Sequence, residues 1–184
     1  MTARSVFLVT GLPGTGKTTL ARALARALAV PLLSKDAIKE PLLDVLGAAD
    51  RAASRRLSDA SFGVLFALAD EQLALTGAVV LEGNFRPGEH ESAVQALLAR
   101  HVPASCTQVL CRVAEPLRQQ RLRERAGNSA RHPGHRDAAL VAQSRPCGDA
   151  FLDIGGPRIV HDGGAEDPAP ACALVHSLAN RQLV

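Results

Sequence analysis

The residues with the clearest chemistry lie near the N-terminus, in the stretch GLPGTGKTT. Gly11 and Gly16 are separated by four residues, and Lys17 and Thr18 follow directly. This G-x-x-x-x-G-K-[ST] spacing is typical of a loop whose backbone N–H groups surround phosphate oxygens, because glycine keeps a Cβ out of the way. A lysine at this position reaches the β- and γ-phosphates, and the threonine hydroxyl binds Mg²⁺. The pattern therefore predicts a site for a nucleoside triphosphate.

The neighbouring sequence supports this interpretation. The apolar run 5–9 predicts a buried strand before the loop, and residues 18–29 predict a helix after it. A helix N-terminus adds free N–H groups and a favourable dipole for an anion. The residues predicted to contact the nucleotide are Gly11, Pro13, Gly14, Thr15, Gly16, Lys17, Thr18 and Thr19.

Two acidic residues follow predicted strands. Asp36 comes just after the weak strand 30–34, and Glu82 lies at the tip of the strand 78–84. The carboxyl ends of parallel strands meet at one edge of a sheet, so both acids are expected beside the phosphate loop. Asp36 is a candidate general base for an attacking hydroxyl, or else a cap of the next helix. Glu82 is a candidate for holding Mg²⁺ through water or for binding a substrate hydroxyl, and Arg86 for pairing with Glu82 or contacting the substrate.

Six arginines fall between Arg118 and Arg136. Arg121 and Arg125 are four residues apart on a predicted helix (about 115–126), so they share one face. The helix precedes a stretch rich in turn formers, about 127–137, which predicts a mobile lid. Arginines carried by such a lid stabilise the charge that develops during phosphoryl transfer, and solvated arginines are the alternative.

Strand-like and helix-like segments alternate along the chain. This predicts one α/β domain, residues 1–184, with a parallel sheet covered on both faces. The further predicted helices are 51–76, about 88–101, about 137–145 and about 168–180, and the further predicted strands are 107–113 and 158–161.

Composition narrows the classes of protein. The chain has 184 residues, 47% of them hydrophobic, and a net charge of only +3, so its charge does not indicate a nucleic-acid binder. No apolar run is long enough for a membrane span and no signal peptide is apparent, which predicts a cytoplasmic protein. Cys106 and Cys111 flank a strand-like run and are expected to be buried, reduced thiols.

These motifs together resemble those of the P-loop small-molecule kinases, above all the zeta-toxin, polynucleotide-kinase and chloramphenicol-phosphotransferase branch. The resemblance implies a three-layer α/β/α P-loop fold with a five-stranded parallel sheet, order 2-3-1-4-5, and a lid. It implies that Asp36 is the catalytic base, that Glu82 contacts the substrate and that Arg121 and Arg125 are catalytic lid arginines. Lys39 stands where an arginine is often found in this branch, which makes it a substrate-binding candidate and leaves the acceptor open.

The expected function is an ATP-dependent, Mg²⁺-dependent kinase acting on a hydroxyl of a small molecule: a nucleoside, sugar, antibiotic or nucleotide-sugar. A 5′-hydroxyl polynucleotide kinase is an alternative, disfavoured because the chain has no Trp or Tyr to stack on bases and only five Phe. A non-kinase ATP-binding protein or ATPase is a second alternative. Neither the oligomeric state nor the preference for ATP over GTP is encoded in these motifs.

Overall fold

Five parallel strands form the centre of the protein in a computed structural model that describes residues 3–127, 150–165 and 167–181. The strand order is β2-β3-β1-β4-β5, which confirms the predicted topology. The strands are β1 (Arg4–Gly11), β2 (Leu32–Ser34), β3 (Ala78–Glu82), β4 (Ala104–Arg112) and β5 (Arg158–Asp162).

Six helices are present in the described residues. They are α1 (Lys17–Leu28), α2 (Lys35–Leu46), α3 (Arg51–Thr76), α4 (Glu91–Arg100), α5 (Glu115–Ala126) and α6 (Ala169–Arg181). Of the predicted lid, only residue 127 belongs to the described part, and the helix predicted at about 137–145 lies outside it. None of these six helices combines the length and the apolar character that a membrane span requires.

Helices cover both faces of the sheet because successive side chains of a strand point to opposite faces. On β1, Val6 and Leu8 belong to a core that also contains residues of α3 and α4. Phe7 and Val9 belong to a second core, which includes residues of α1 and α6. A central strand buried on both faces is what the continuous apolar run at 5–9 predicts.

The helix after β2 begins two residues earlier than an N-cap at Asp36 would place it. Ser34 occupies the N-cap position, and Lys35 is the first helical residue. Asp36 therefore lies in the first turn of α2, so the alternative in which it caps this helix is wrong. A carboxylate in the first turn still interacts favourably with the helix dipole.

The segment after β5 packs directly against the loop between β1 and α1. A Cβ at Gly163 would overlap the backbone carbonyl oxygen of Thr15. The amide of Gly163 donates to the Arg112 carbonyl oxygen at 2.7 Å, so this segment cannot easily move away. Only glycine allows so close an approach of two backbones.

We expect Gly163→Ala to lower the free energy of unfolding by about 1–3 kcal/mol, because the added methyl group must displace the Thr15 peptide or the segment after β5. Urea denaturation measures this change. Gly63→Ala is the matched control: Gly63 lies in α3 with open space around its Cβ position, and we expect a stabilisation of up to about 1 kcal/mol. Equal stabilities of Gly163→Ala and the unchanged protein would contradict the close approach.

Candidate active site

The loop between β1 and α1 has the geometry of an anion-binding loop. Gly14 and Gly16 adopt positive φ angles of 91° and 84°, which residues with a side chain rarely adopt. Gly16 is the N-cap of α1 and has no side chain that could cap the first amides of the helix. The first amides of α1 have no intrahelical acceptor, so they are available to an anion at this point.

Glu82 is the central carboxylate of the site. It is the last residue of β3 and only 1% exposed. Its Oε1 accepts a hydrogen bond from the Thr18 hydroxyl at 3.3 Å and lies 3.8 Å from Lys17 Nζ. Its Oε2 accepts a hydrogen bond from the Ser34 hydroxyl at 2.6 Å. A buried carboxylate requires such partners, and here they come from two separate segments, the start of α1 and the end of β2.

The parallel register explains why Ser34 reaches this carboxylate. Ser34 ends β2 and is the direct partner of Glu82 in the β2–β3 pairing. Asp36 follows two residues later, on the same edge of the sheet as the phosphate loop. Its carboxylate is 37% exposed, and its Oδ1 accepts a hydrogen bond from Lys35 Nζ at 3.1 Å.

The arginines of α5 contact the outer side of the loop. Arg121 Nη1 donates to the carbonyl oxygens of Gly14 at 3.3 Å and Gly163 at 2.8 Å. Arg118, which the sequence interpretation missed, is almost fully buried and donates to the Pro13 carbonyl oxygen at 3.4 Å. Arg121 is thus engaged with backbone carbonyls in this structure.

A cleft of about 440 Å³ lies between the start of α1, the end of α5 and the segment after β5. This volume is within the range of small-molecule sites. Its lining includes Arg121 and Arg125, so both predicted arginines border one cleft. The full lining consists of Gly16, Thr19, Leu20, Arg121, Glu124, Arg125, His161, Gly163, Gly164, Ala165 and Pro168.

The other two predicted substrate residues lie on the side of α2 and α3. Lys39 Nζ donates to the Ser54 hydroxyl at 3.1 Å and so connects the two helices. Arg86 pairs with Glu89 at 2.9 Å, and the partners of Glu82 are those described above, so the expected Arg86–Glu82 pair does not form. Asn84, two residues after Glu82, has a buried Oδ1 without a hydrogen-bond partner among the described residues.

Two cysteines lie on β4, and Cys111 is the one that pairs with the end of β1 at the loop. Cys106 and Cys111 are buried free thiols, as expected from the sequence. Burial raises the pKa of Cys111 to about 12, so its thiol stays protonated at neutral pH. Among the described residues, no group of three His, Cys, Asp or Glu side chains could hold a metal ion by itself.

Comparison with known proteins connects this geometry to kinases. The model of AAA_33, an AAA domain family, matches residues 6–145. A shikimate kinase of Paracidovorax citrulli (strain AAC00-1) is 32% identical over 149 residues, which cover 73% of this chain and 79% of that protein.

Two solved structures resemble this chain over almost its whole length. A presumed kinase from Chloroflexus aurantiacus J-10-fl is 34% identical, with a TM-score of 0.83, and the match covers 97% of this chain and 99% of that one. An APS kinase of Mycobacterium tuberculosis, solved with AMPPNP and APS, has a TM-score of 0.58 at 19% identity, covering 97% of this chain and 98% of that one. At this lower identity the likeness shows the fold alone.

We expect Glu82→Gln to lower the free energy of unfolding by about 1–3 kcal/mol. The neutral amide weakens the charge-assisted hydrogen bonds from Ser34 and Thr18 and leaves the Lys17 ammonium without its carboxylate neighbour. Chemical denaturation at neutral pH measures the loss. Glu71→Gln, an exposed position on α3, is the matched control and should change stability by less than about 0.5 kcal/mol. A Glu82→Gln protein as stable as the control would show that this carboxylate does not hold the site together.

Proposed function

We propose that this chain, a P-loop kinase that belongs to the AAA_33 family of AAA domains, transfers the γ-phosphoryl group of ATP to a hydroxyl group of a small molecule. The observation that carries the proposal is the convergence of Lys17, Thr18 and Glu82 at the mouth of a glycine-rich loop. Phosphoryl transfer depends mainly on positioning and on stabilising negative charge, and this arrangement provides both.

The nucleotide occupies the loop and the adjoining cleft in this proposal. The backbone N–H groups of residues 14–18 hold the phosphates, with Lys17 neutralising the β- and γ-phosphates. The base lies in the cleft bounded by Arg121 and Arg125, which opens directly beside Gly16 and Thr19. A cleft continuous with the loop is what a triphosphate joined to a nucleoside requires.

The oxygen atoms at the loop also fit a magnesium ion. The Thr18 hydroxyl and a Glu82 carboxylate oxygen lie 3.3 Å apart beside the phosphate loop. Mg²⁺ prefers oxygen ligands and commonly uses one or two protein groups, with phosphates and water completing its shell. Thr18 would bind the ion and Glu82 would hold it directly or through water. When bound, Mg²⁺ neutralises charge that builds up on the transferring phosphoryl group.

The acceptor lies between α2, α3 and the residues after β3. Asp36, in the first turn of α2, acts as the general base that takes the hydroxyl proton. Lys39 and Arg86 border the same region and orient the acceptor through its polar groups. Arg125 stabilises charge on the transferring group from the opposite side of the loop.

Acceptor-dependent ADP formation tests the proposal. The protein is incubated with ATP, Mg²⁺ and single members of a library of nucleosides, sugars, aminoglycosides and nucleotide-sugars, with an oligonucleotide carrying a 5′-hydroxyl as a further member. The expected result is ADP release that depends on one class of small molecule and disappears in Lys17→Ala. Fast ATP hydrolysis with no acceptor would contradict a kinase, and stimulation by the oligonucleotide alone would favour a polynucleotide kinase.

For Asp36→Asn we expect ATP affinity to stay within about twofold while turnover of the acceptor falls by about a hundredfold or more, since only the proton acceptor is lost. Steady-state kinetics and calorimetric ATP titration measure the two quantities. Asp44→Asn, an exposed position on the same helix, is the matched control and should retain turnover. Full turnover in Asp36→Asn would remove this residue from the mechanism.

For Arg125→Ala we expect turnover to fall by about tenfold or more while ATP binding weakens much less, because the guanidinium acts on charge that is largest in the transition state. Arg123→Ala supplies the comparison, since Arg123 is exposed on the same helix. Equal losses of affinity and turnover in Arg125→Ala would instead indicate a role in ground-state nucleotide binding.

A further inference from the structure

Arg118 is a buried cation with a specific set of contacts. Its side chain is 3% exposed, although it belongs to an arginine-rich helix whose other cations are more accessible. The guanidinium binds Glu115 with two hydrogen bonds, Nε to Oε2 and Nη2 to Oε1, both at 2.7 Å. The remaining nitrogen, Nη1, donates to the Pro13 carbonyl oxygen at 3.4 Å. The planar guanidinium group thus connects the Glu115 carboxylate to the Pro13 carbonyl oxygen of the loop.

The helix carrying this arginine packs tightly on the loop. A Cβ at Gly14 would lie 3.1 Å from Arg118 Cγ and 3.2 Å from its carbonyl oxygen. Helix α5 follows β4, which pairs with β1 on the side opposite to β3. Arg118 therefore approaches the loop from the side of β4, whereas Glu82 approaches it from the side of β3.

The hydrogen bond from Arg118 to the Pro13 carbonyl oxygen also affects the direction of the next N–H group. In a trans peptide the C=O and the N–H of the next residue point in opposite directions. A donor that holds the Pro13 carbonyl oxygen toward α5 therefore keeps the Gly14 N–H directed away from α5, toward the concave side of the loop. Loss of the donor would let this peptide rotate, and glycine at position 14 offers little resistance.

Glu115 keeps the guanidinium in a fixed orientation. A bidentate carboxylate defines the plane of an arginine in a way that a lysine ammonium cannot reproduce. Hydrogen bonds from Arg118 lower the pKa of Glu115 to about 2, so this carboxylate stays ionised at any pH near neutrality. Both members of the pair are therefore charged at neutral pH.

We propose that Arg118 is a positioning residue for the phosphate loop: it fixes the peptide between Pro13 and Gly14 so that the loop binds a polyphosphate tightly. The inference rests on the proposed nucleotide site. It assigns to Arg118 a role separate from that of Arg121 and Arg125, because Arg118 contacts the loop without lining the cleft for the base.

Calorimetric titration with two probes, ATP and inorganic tripolyphosphate, each with Mg²⁺, tests the proposal. Tripolyphosphate reports on the loop without a base in the cleft. Arg118→Met keeps the aliphatic contact with Gly14 but removes the donors, and we expect it to bind both probes about tenfold more weakly or worse. Arg118→Lys should lie between Arg118→Met and the unchanged protein, and Glu115→Gln should show a smaller loss in the same direction. Arg123→Met is the control on the exposed face and should bind both probes unchanged.

Circular dichroism and thermal melting establish that each variant is folded before titration. If Arg118→Met does not fold, Arg118→Lys and Glu115→Gln carry the test. Tripolyphosphate binding equal to that of the unchanged protein in the folded variants would overturn the proposal, whether or not ATP binding weakens, and so would an equal loss in Arg123→Met. If the unchanged protein binds neither probe, the proposed function fails, and the positioning role fails with it.

Discussion

The buried carboxylate of Glu82 is the interaction on which the rest of the site depends. A charge that is 1% exposed must be compensated by donors, which are provided by Lys17 and Thr18 at the start of α1 and by Ser34 at the end of β2. By meeting this need, the chain brings the end of β2, the end of β3 and the first turn of α1 to one point. The arrangement of these three segments thus follows from the need to supply hydrogen-bond donors to one buried carboxylate.

On the opposite side, the loop is held by contacts to its own backbone and not by ion pairs. Arg118 and Arg121 donate to the carbonyl oxygens of Pro13 and Gly14, and Gly163 packs against Thr15. Carbonyl oxygens held toward α5 leave N–H groups for the anion side of the loop. The Glu82 carboxylate thus contacts the loop region from one side, and the arginines of α5 bind the loop backbone from the other.

The sequence predicts this fold well because each element has a local signal. Continuous apolar runs identify the central strands, and the glycine spacing with Lys17 and Thr18 identifies the loop. Asp36 comes just after a strand, and Glu82 lies at the tip of one. Because parallel strands end at one edge of the sheet, the sequence predicts that both acids lie at that edge. The membership of the zeta-toxin, polynucleotide-kinase or chloramphenicol-phosphotransferase branch stays a prediction, as do the individual roles of the site residues.

Other contacts could not be read from local patterns. Glu115 and Arg118 are three apart on a helix, which by itself indicates an exposed ion pair of little energetic value. Arg118 is buried only because Gly14, about a hundred residues earlier, lets the helix approach. Ser34 binds Glu82 only because the register places them opposite each other, and register depends on the whole sheet.

A crystal structure with Mg²⁺ and a non-hydrolysable ATP analogue is the most direct test of the central claim. The account predicts the triphosphate within the loop, the ion beside Thr18 and Glu82, and the γ-phosphate separated from the Asp36 carboxylate by room for one hydroxyl group. A nucleotide bound elsewhere, or an Asp36 carboxylate turned away from the γ-phosphate, would contradict it.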